Sequence, residues 1–204
     1  MIGGTTLGSL CLWRLGGAAA HGGSGVSLGV GVSVRAVAAA CGAHASRVEA
    51  LATCGRLALS GGSDCVVRLW RLDAAAAPAE PELSRSLLGH TGPVLSAALS
   101  ETGVGASCAA DSTVRLWNVH LGTCTATLLP AGAPRCVALC DATETLLSAG
   151  DGPLISLWNW KVGGAKPAAR LAGHAASVCA LAIDDGCIVS ADTAGRLRIR
   201  RQHD

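Results

Sequence analysis

The chain has 204 residues, a formal net charge of +2, half of its residues hydrophobic, 2% aromatic, and neither Phe nor Tyr. That length is enough for one domain with a substantial core, while the small net charge and the scarcity of stacking aromatics weigh against nucleic-acid binding. The apolar excess is spread over Ala, Val, Leu and Cys instead of one long run, so no transmembrane helix is expected.

In chain order, Met1 to Leu12 has no basic residue ahead of its apolar stretch, and a secretory leader is not expected. Leu15 to Val34 carries no charged side chain, but Gly16, Gly17, Gly22, Gly23, Gly25, Gly29 and Gly31 make it a poor spanning helix. Its second half, Val26-Ser-Leu-Gly-Val-Gly-Val-Ser-Val34, reads as an outer strand. Residues 1–41 are thus expected to form a partial first unit with a Gly/Ala-rich connection.

Further on, one phrase recurs. Ser60-Gly-Gly-Ser-Asp64-Cys-Val-Val-Arg-Leu-Trp70 returns as Ser107-Cys-Ala-Ala-Asp111-Ser-Thr-Val-Arg-Leu-Trp117, with Ser, Asp and Trp at the same spacing. Weaker copies follow at Ser148 to Trp158 and at Ser190 to Arg200, and Ser9-Leu-Cys-Leu-Trp13 keeps only the closing residues. Gly89-His90, Gly173-His174 and the looser Gly42-Ala43-His44 precede three of these copies at matching distances. Self-similarity at a fixed period signals a repeat architecture. It divides residues 42–204 into units of about 42–88, 89–128, 129–171 and 172–204. Each unit needs alternating apolar residues, because successive strand side chains point to opposite faces; Val66, Leu69 and Trp70, like Val114, Leu116 and Trp117, are expected to supply them.

A period slightly above 40, Gly-His at the front and Trp at the end resemble WD40 repeats, over residues 42 to 200. The commonest closing pair, Trp-Asp, is replaced by Trp70-Arg71, Trp117-Asn118 and Trp158-Asn159. The resemblance implies an all-β propeller of about four to five four-stranded blades. The length suits an incomplete ring, an arc of a larger propeller or a segment completed by further blades or a partner chain, better than a closed five-bladed ring. The resemblance also implies a buried hydrogen-bonded tetrad per unit: His44, Ser60, Asp64 and Trp70 in one, His90, Ser107, Asp111 and Trp117 in the next. Later units are degraded. Gly152 falls where Asp belongs, no Gly-His precedes Trp158, and Ala194 and Arg200 stand in place of the last Asp and Trp.

A recurring Ser, His and Asp could suggest nucleophilic catalysis. Catalysis needs one exposed nucleophile with a base and an oxyanion site, whereas this set repeats at structural spacing. No nucleophile elbow or phosphate loop accompanies it, and no enzymatic activity or cofactor is expected. Ten cysteines contain no Cys-x-x-Cys, and Cys136 and Cys140 would lie about 13 Å apart along a strand, too far to share a metal. Cys11, Cys65, Cys108, Cys179 and Cys187 are expected in strands as small buried hydrophobes. This usage fits a reducing compartment, cytosol or nucleus.

Asp73 to Glu82, rich in Ala, Pro and acidic residues, reads as a solvated insertion between two strands. The alternating Arg196-Leu-Arg-Ile-Arg200 reads as a charge-protected edge strand. In the family resembled, partners sit on the face near the central channel. Carried over by position, that face offers Arg47, Pro93, Arg135 and Ser177 at the starts of inner strands, with Ser63 and Ala110 in the following turns. Its two Arg could meet an acidic or phosphorylated peptide, or could be ordinary solvated charges. The expected role is a non-catalytic scaffold binding other proteins or peptide segments within a multiprotein complex. The alternative is an RNA- or ribosome-assembly-associated subunit, which would require clustered Arg and salt-dependent binding.

Overall fold

The computed structural model describes residues 2–4, 8–16, 33–40, 43–72, 81–162, 166–185 and 187–201, and every regular element among them is a β-strand. Strands β1 (Ile2–Gly4), β2 (Leu10–Gly16) and β3 (Ser33–Ala40) form a three-stranded antiparallel sheet. A second sheet follows from β4 (Val48–Cys54), β5 (Leu57–Gly62), β6 (Val67–Arg71) and β7 (Glu82–Leu87). The third contains β8 (Val94–Leu99), β9 (Val104–Ala109), β10 (Val114–Asn118) and β11 (Thr123–Leu128). The fourth contains β12 (Pro134–Cys140), β13 (Thr145–Gly150), β14 (Ile155–Asn159) and β15 (Ala169–Leu171); the fifth has β16 (Val178–Asp184), β17 (Cys187–Asp192) and β18 (Leu197–Arg201). Within every sheet the strands pair with their chain neighbours. This is the meander of a propeller blade. Among the described residues the sheets are not closed into a ring.

Most of the strand proposed over Val26–Val34, and residues 73–80 of the insertion, lie outside the described residues. Cys65 is not in a strand. It sits in the β5–β6 turn at φ 64°, because two strands joined this tightly require one left-handed residue.

Register repeats from sheet to sheet as closely as sequence does. The innermost strands shift register at their second residue, between Val48 and Ala50, Val94 and Ser96, Pro134 and Cys136, and Val178 and Ala180. A bulge at this point bends the strand and re-aims its first side chain. Adjacent residues Leu69 and Trp70 then serve opposite faces. Leu69 joins Ala50, Leu59, Val67 and Leu87 against Val94, Trp117 and Val119 of the third sheet, while Trp70 packs on Ala43 and Ala58. The apolar residue opening β6 is Val67, fully buried, and not Val66; register aligns Val67 with Val114.

The same stacking continues along the chain. Ala106, Val114 and Leu116 meet Val137, Leu146 and Trp158, and Leu147 and Ile155 meet Val178 and Ile188. Small aliphatics at every one of these seams, joined by Trp117 between the second and third sheets and Trp158 between the third and fourth, compensate for the missing Phe and Tyr, since burying apolar surface is the main stabilising term. On the side away from the tetrads, Asp141 accepts hydrogen bonds from the Glu101 amide (2.8 Å) and the Thr102 hydroxyl (2.9 Å), tying the fourth sheet to the third.

Candidate functional site

In the second sheet, His44 enters from the loop before β4 and reaches across the top of two strands. Its Nε2 is 2.6 Å from Ser60 Oγ and its Nδ1 2.9 Å from Asp64 Oδ1, while Trp70 Nε1 donates to Ser60 Oγ at 2.8 Å. With the proton on Nδ1, the ring donates to Asp64, and Ser60 donates to Nε2 while accepting from the indole; each group then uses its capacity. Arg68 Nη1 donates to Asp64 Oδ2 at 2.7 Å. The third sheet repeats this set with His90, Ser107, Asp111 and Trp117 at 2.8, 2.9 and 2.8 Å, and Thr113 Oγ1 donates to Asp111 at 2.7 Å.

Burial of Asp64 and Asp111 would raise their carboxyl pKa. Arg68, His44 and the Ala45 amide overcome this at Asp64, and Thr113, the Thr91 amide and His90 do so at Asp111, holding both at about 2. Desolvation lowers the pKa of His44 and His90, with their aspartates opposing it in part, so both rings are neutral near pH 7. All four side chains of a set are occupied by one another. None is presented to a substrate.

The fifth sheet departs from the sequence expectation. Ala194 does stand four residues after Ser190, but the carboxylate comes from Asp192, two residues earlier. His174 Nδ1 is 2.8 Å from Asp192 Oδ2 and His174 Nε2 is 2.7 Å from Ser190 Oγ. Register explains the substitution. Asp192 pairs with Val178 as Gly62 pairs with Val48, and a Cβ at Gly62 would lie 2.4 Å from His44 Nδ1. A side chain at that position points straight at the histidine. The Asp192 pKa is lowered by His174 and by the Arg196 and Ala194 amides. The signal was present in Ser190-Ala-Asp192, once spacing is read by register instead of by count.

The fourth sheet keeps only the Trp158 Nε1 to Ser148 Oγ bond, at 3.0 Å. By register, Pro130 stands in the histidine position and Gly152 in the aspartate position.

The proposed partner edge lies at the starts of the inner strands. There the amides of Ser63, Ala110, Asp151 and Thr193 donate to the carbonyls of Arg47, Pro93, Ala133 and Ser177, one bond of 2.8–2.9 Å per sheet. Arg47 and Arg135 are exposed but already paired. Arg47 bonds both oxygens of Glu49 at 2.7 Å, and Arg135 bonds Asp151 at 2.6 and 3.4 Å. An acidic peptide would have to displace these carboxylates, so the two Arg are not free cations awaiting one. Arg135 is also the second residue of its strand, the counterpart of Glu49; Ala133 is the counterpart of Arg47. Ser177 Oγ accepts from the Gly152 amide at 3.2 Å.

Cys108, Cys136 and Cys140 are buried thiols, and burial pushes Cys108 and Cys136 up to about 12. Cys179 is exposed. Among the described residues no cluster of His, Cys, Asp or Glu could hold a metal ion, and no helix is long and apolar enough to cross a membrane.

Repeated four-stranded meanders stacked face to face, pinned by His, Ser, Asp and Trp, define a propeller-type repeat protein. Residues 36–71 and 81–118 match the WD domain, G-beta repeat model, so these two segments are WD40 repeats. The chain is 29% identical to Mitochondrial division protein 1 of Schizosaccharomyces pombe, over 72% of this chain and 28% of that protein. It is 47% identical to Transcription initiation factor TFIID subunit 5 of Drosophila melanogaster, over 22% of this chain and 7% of that protein. The chain therefore spans well under a third of either relative's length. WD40 repeats imply a protein-interaction scaffold, and WD40 domains bind other proteins or peptides.

Proposed function

We propose that this chain is a non-catalytic scaffold that holds proteins together in a multiprotein complex of the cytosol or nucleus. The observation that carries this reading is the outer face of the fifth sheet. Leu197 and Ile199 are 64% and 66% exposed there, while their register counterparts Val67 and Leu69 in the second sheet are 0% and 3% exposed under the third sheet. An apolar sheet face of this kind is a protein-binding surface, and what covers its counterpart is another antiparallel sheet. The eight cysteines with described side chains are free thiols, which supports a reducing compartment. The two relatives' names, a mitochondrial division protein and a transcription factor subunit, support work in assemblies.

The alternative, an RNA-associated subunit, rests on exposed Arg196, Arg198 and Arg201. Affinity purification of the tagged chain from lysate, with and without nuclease, separates the two. Protein partners retained after nuclease are expected; their loss would overturn the scaffold reading in favour of RNA.

A further inference from the structure

The fourth sheet contains a cavity of about 50 Å³ whose walls include Pro130, Ser148, Asp151, Gly152, Leu154 and Ser156. A single water needs roughly 10–15 Å³, so the space exceeds one solvent molecule. Its origin lies in three coincident losses. Pro130 replaces the histidine, Gly152 replaces the aspartate, and Ser156 stands where Arg68 and Arg115 stand in the preceding sheets. The serine that received the histidine remains in place. Ser148 is fully buried and accepts from Trp158 Nε1, which leaves its hydroxyl proton to donate. Ser156 lies directly across the ladder from Ser148 and is 2% exposed. A buried hydroxyl proton without an acceptor is costly, so the Ser148 hydroxyl lining this cavity specifies an occupant that can accept a hydrogen bond.

Three of the other four sheets carry a built-in group at this position. In each, the Ser hydroxyl at this register meets an imidazole Nε2, at 2.6 Å for His44, 2.8 Å for His90 and 2.7 Å for His174. We propose that the cavity of the fourth sheet is a binding site for an imidazole ring supplied from outside this sheet. The Ser148 hydroxyl donates to one ring nitrogen, as in the sister sheets. The ring's N–H then faces the wall bearing Asp151, whose carboxylate is already held by Arg135. Leu154 and Pro130 give the flat ring an apolar bed. A histidine side chain on a partner's loop and a free imidazole carry the same chemistry, and the two sources can be told apart.

The test is a titration of the full chain followed by amide and indole NMR, with free imidazole in one arm and N-acetyl-histidine methylamide in the other. Saturable shifts of the Trp158 indole and the Gly152 amide, with half-saturation below about 10 mM, are expected. If the capped histidine binds at least as well as imidazole, the ring arrives on a polypeptide. If only imidazole binds, the ligand is a small molecule. Ser148→Ala should weaken binding roughly fivefold, and Pro130→His with Gly152→Asp should abolish it by filling the cavity from within. Shifts that stay linear in both arms for the unaltered chain would overturn the proposal, whether or not the variants fold. So would undiminished binding to a folded Pro130→His, Gly152→Asp variant.

Discussion

The second and fifth sheets are built from the same register and live in different surroundings. Ala50, Ala52, Leu59, Val67 and Leu69 correspond to Ala180, Ala182, Val189, Leu197 and Ile199. The first set is closed under the third sheet; the second is open, with Cys179 exposed beside it. The difference shows that alternation in a repeat sequence specifies which face is apolar, while only stacking decides whether that face is buried. In a repeat protein, stability is a sum of what each unit holds internally and what its neighbour adds. Among the described residues the fifth sheet has its His–Ser–Asp contacts but lacks the second contribution on one side.

The largest effect should come from matched truncations across this pair. Leu69→Ala removes a side chain packed between two sheets and should cost roughly 2–5 kcal/mol. Ile199→Ala, at the equivalent position on the open face, should change stability by no more than about 0.5 kcal/mol. Denaturant titration of the two variants reads the difference directly. Equal losses would mean that the outer face of the fifth sheet is covered in solution, most simply by a second copy, and light scattering on the same samples would show it.

A smaller effect is expected within the networks. Asp111→Ala leaves the His90 ring and the Thr91 amide without their acceptor and should cost roughly 1–3 kcal/mol. A loss of similar size is expected at Asp192→Ala, whereas Ala194→Gly should be nearly silent. That contrast sharpens the reassignment of the fifth sheet, because a count from Ser190 puts the important residue at position 194 and register puts it at 192. A stability change within error for Asp111→Ala would remove the network from the list of forces holding the third sheet.

Much of this was legible from sequence. The phrase ending in Leu-Trp located β6 and β10, and the His-to-Ser spacing of 16 or 17 located the groups that meet at 2.6–2.8 Å in three sheets. Three things were not. Asp192 was missed because a side chain two residues along a strand can reach the same point as one from the following turn. The pairing of Arg135 with Asp151 was missed because it depends on how two separate segments are brought together, which one-dimensional spacing does not give, whereas Arg47 and Glu49, two residues apart on one side of a strand start, were legible by alternation and went unread. The exposure of Cys179 was missed because a strand's pattern says nothing about whether the next sheet is there.

Acid should dissect the networks in order. His44 and His90 titrate lower in the folded chain than in the unfolded one, so the unfolded state takes up protons first as pH falls below about 6.5 and stability begins to drop there. Asp64 and Asp111, at about 2, contribute in full above roughly pH 4, and that contribution is lost as pH falls through about 2. Denaturation midpoints measured from pH 7 to pH 3 should therefore decline throughout. The decline below about pH 4 should be shallower in Asp111→Ala. An unchanged midpoint between pH 7 and pH 5 would mean that the two rings are not buried neutral.

The smallest effect concerns the turn after the tetrad aspartate, where the sheets again differ by one residue. Cys65 and Ser112 are both at φ 64°, and the same position in the fifth sheet is Gly195 at φ 77°. A non-glycine residue in the left-handed region costs on the order of 1 kcal/mol, and glycine gives back part of that gain because it is more disordered when unfolded. Ser112→Gly should then stabilise by a few tenths of a kcal/mol up to about 1. Gly195→Ala, the reverse change in the fifth sheet, should destabilise by a similar amount. Its Cβ would meet nothing within 4 Å, so backbone strain is isolated from packing. Opposite signs for the two variants in thermal unfolding would attribute the effect to the turn itself. A loss of stability in Ser112→Gly would mean instead that the serine holds the turn by a contact that outweighs its strain.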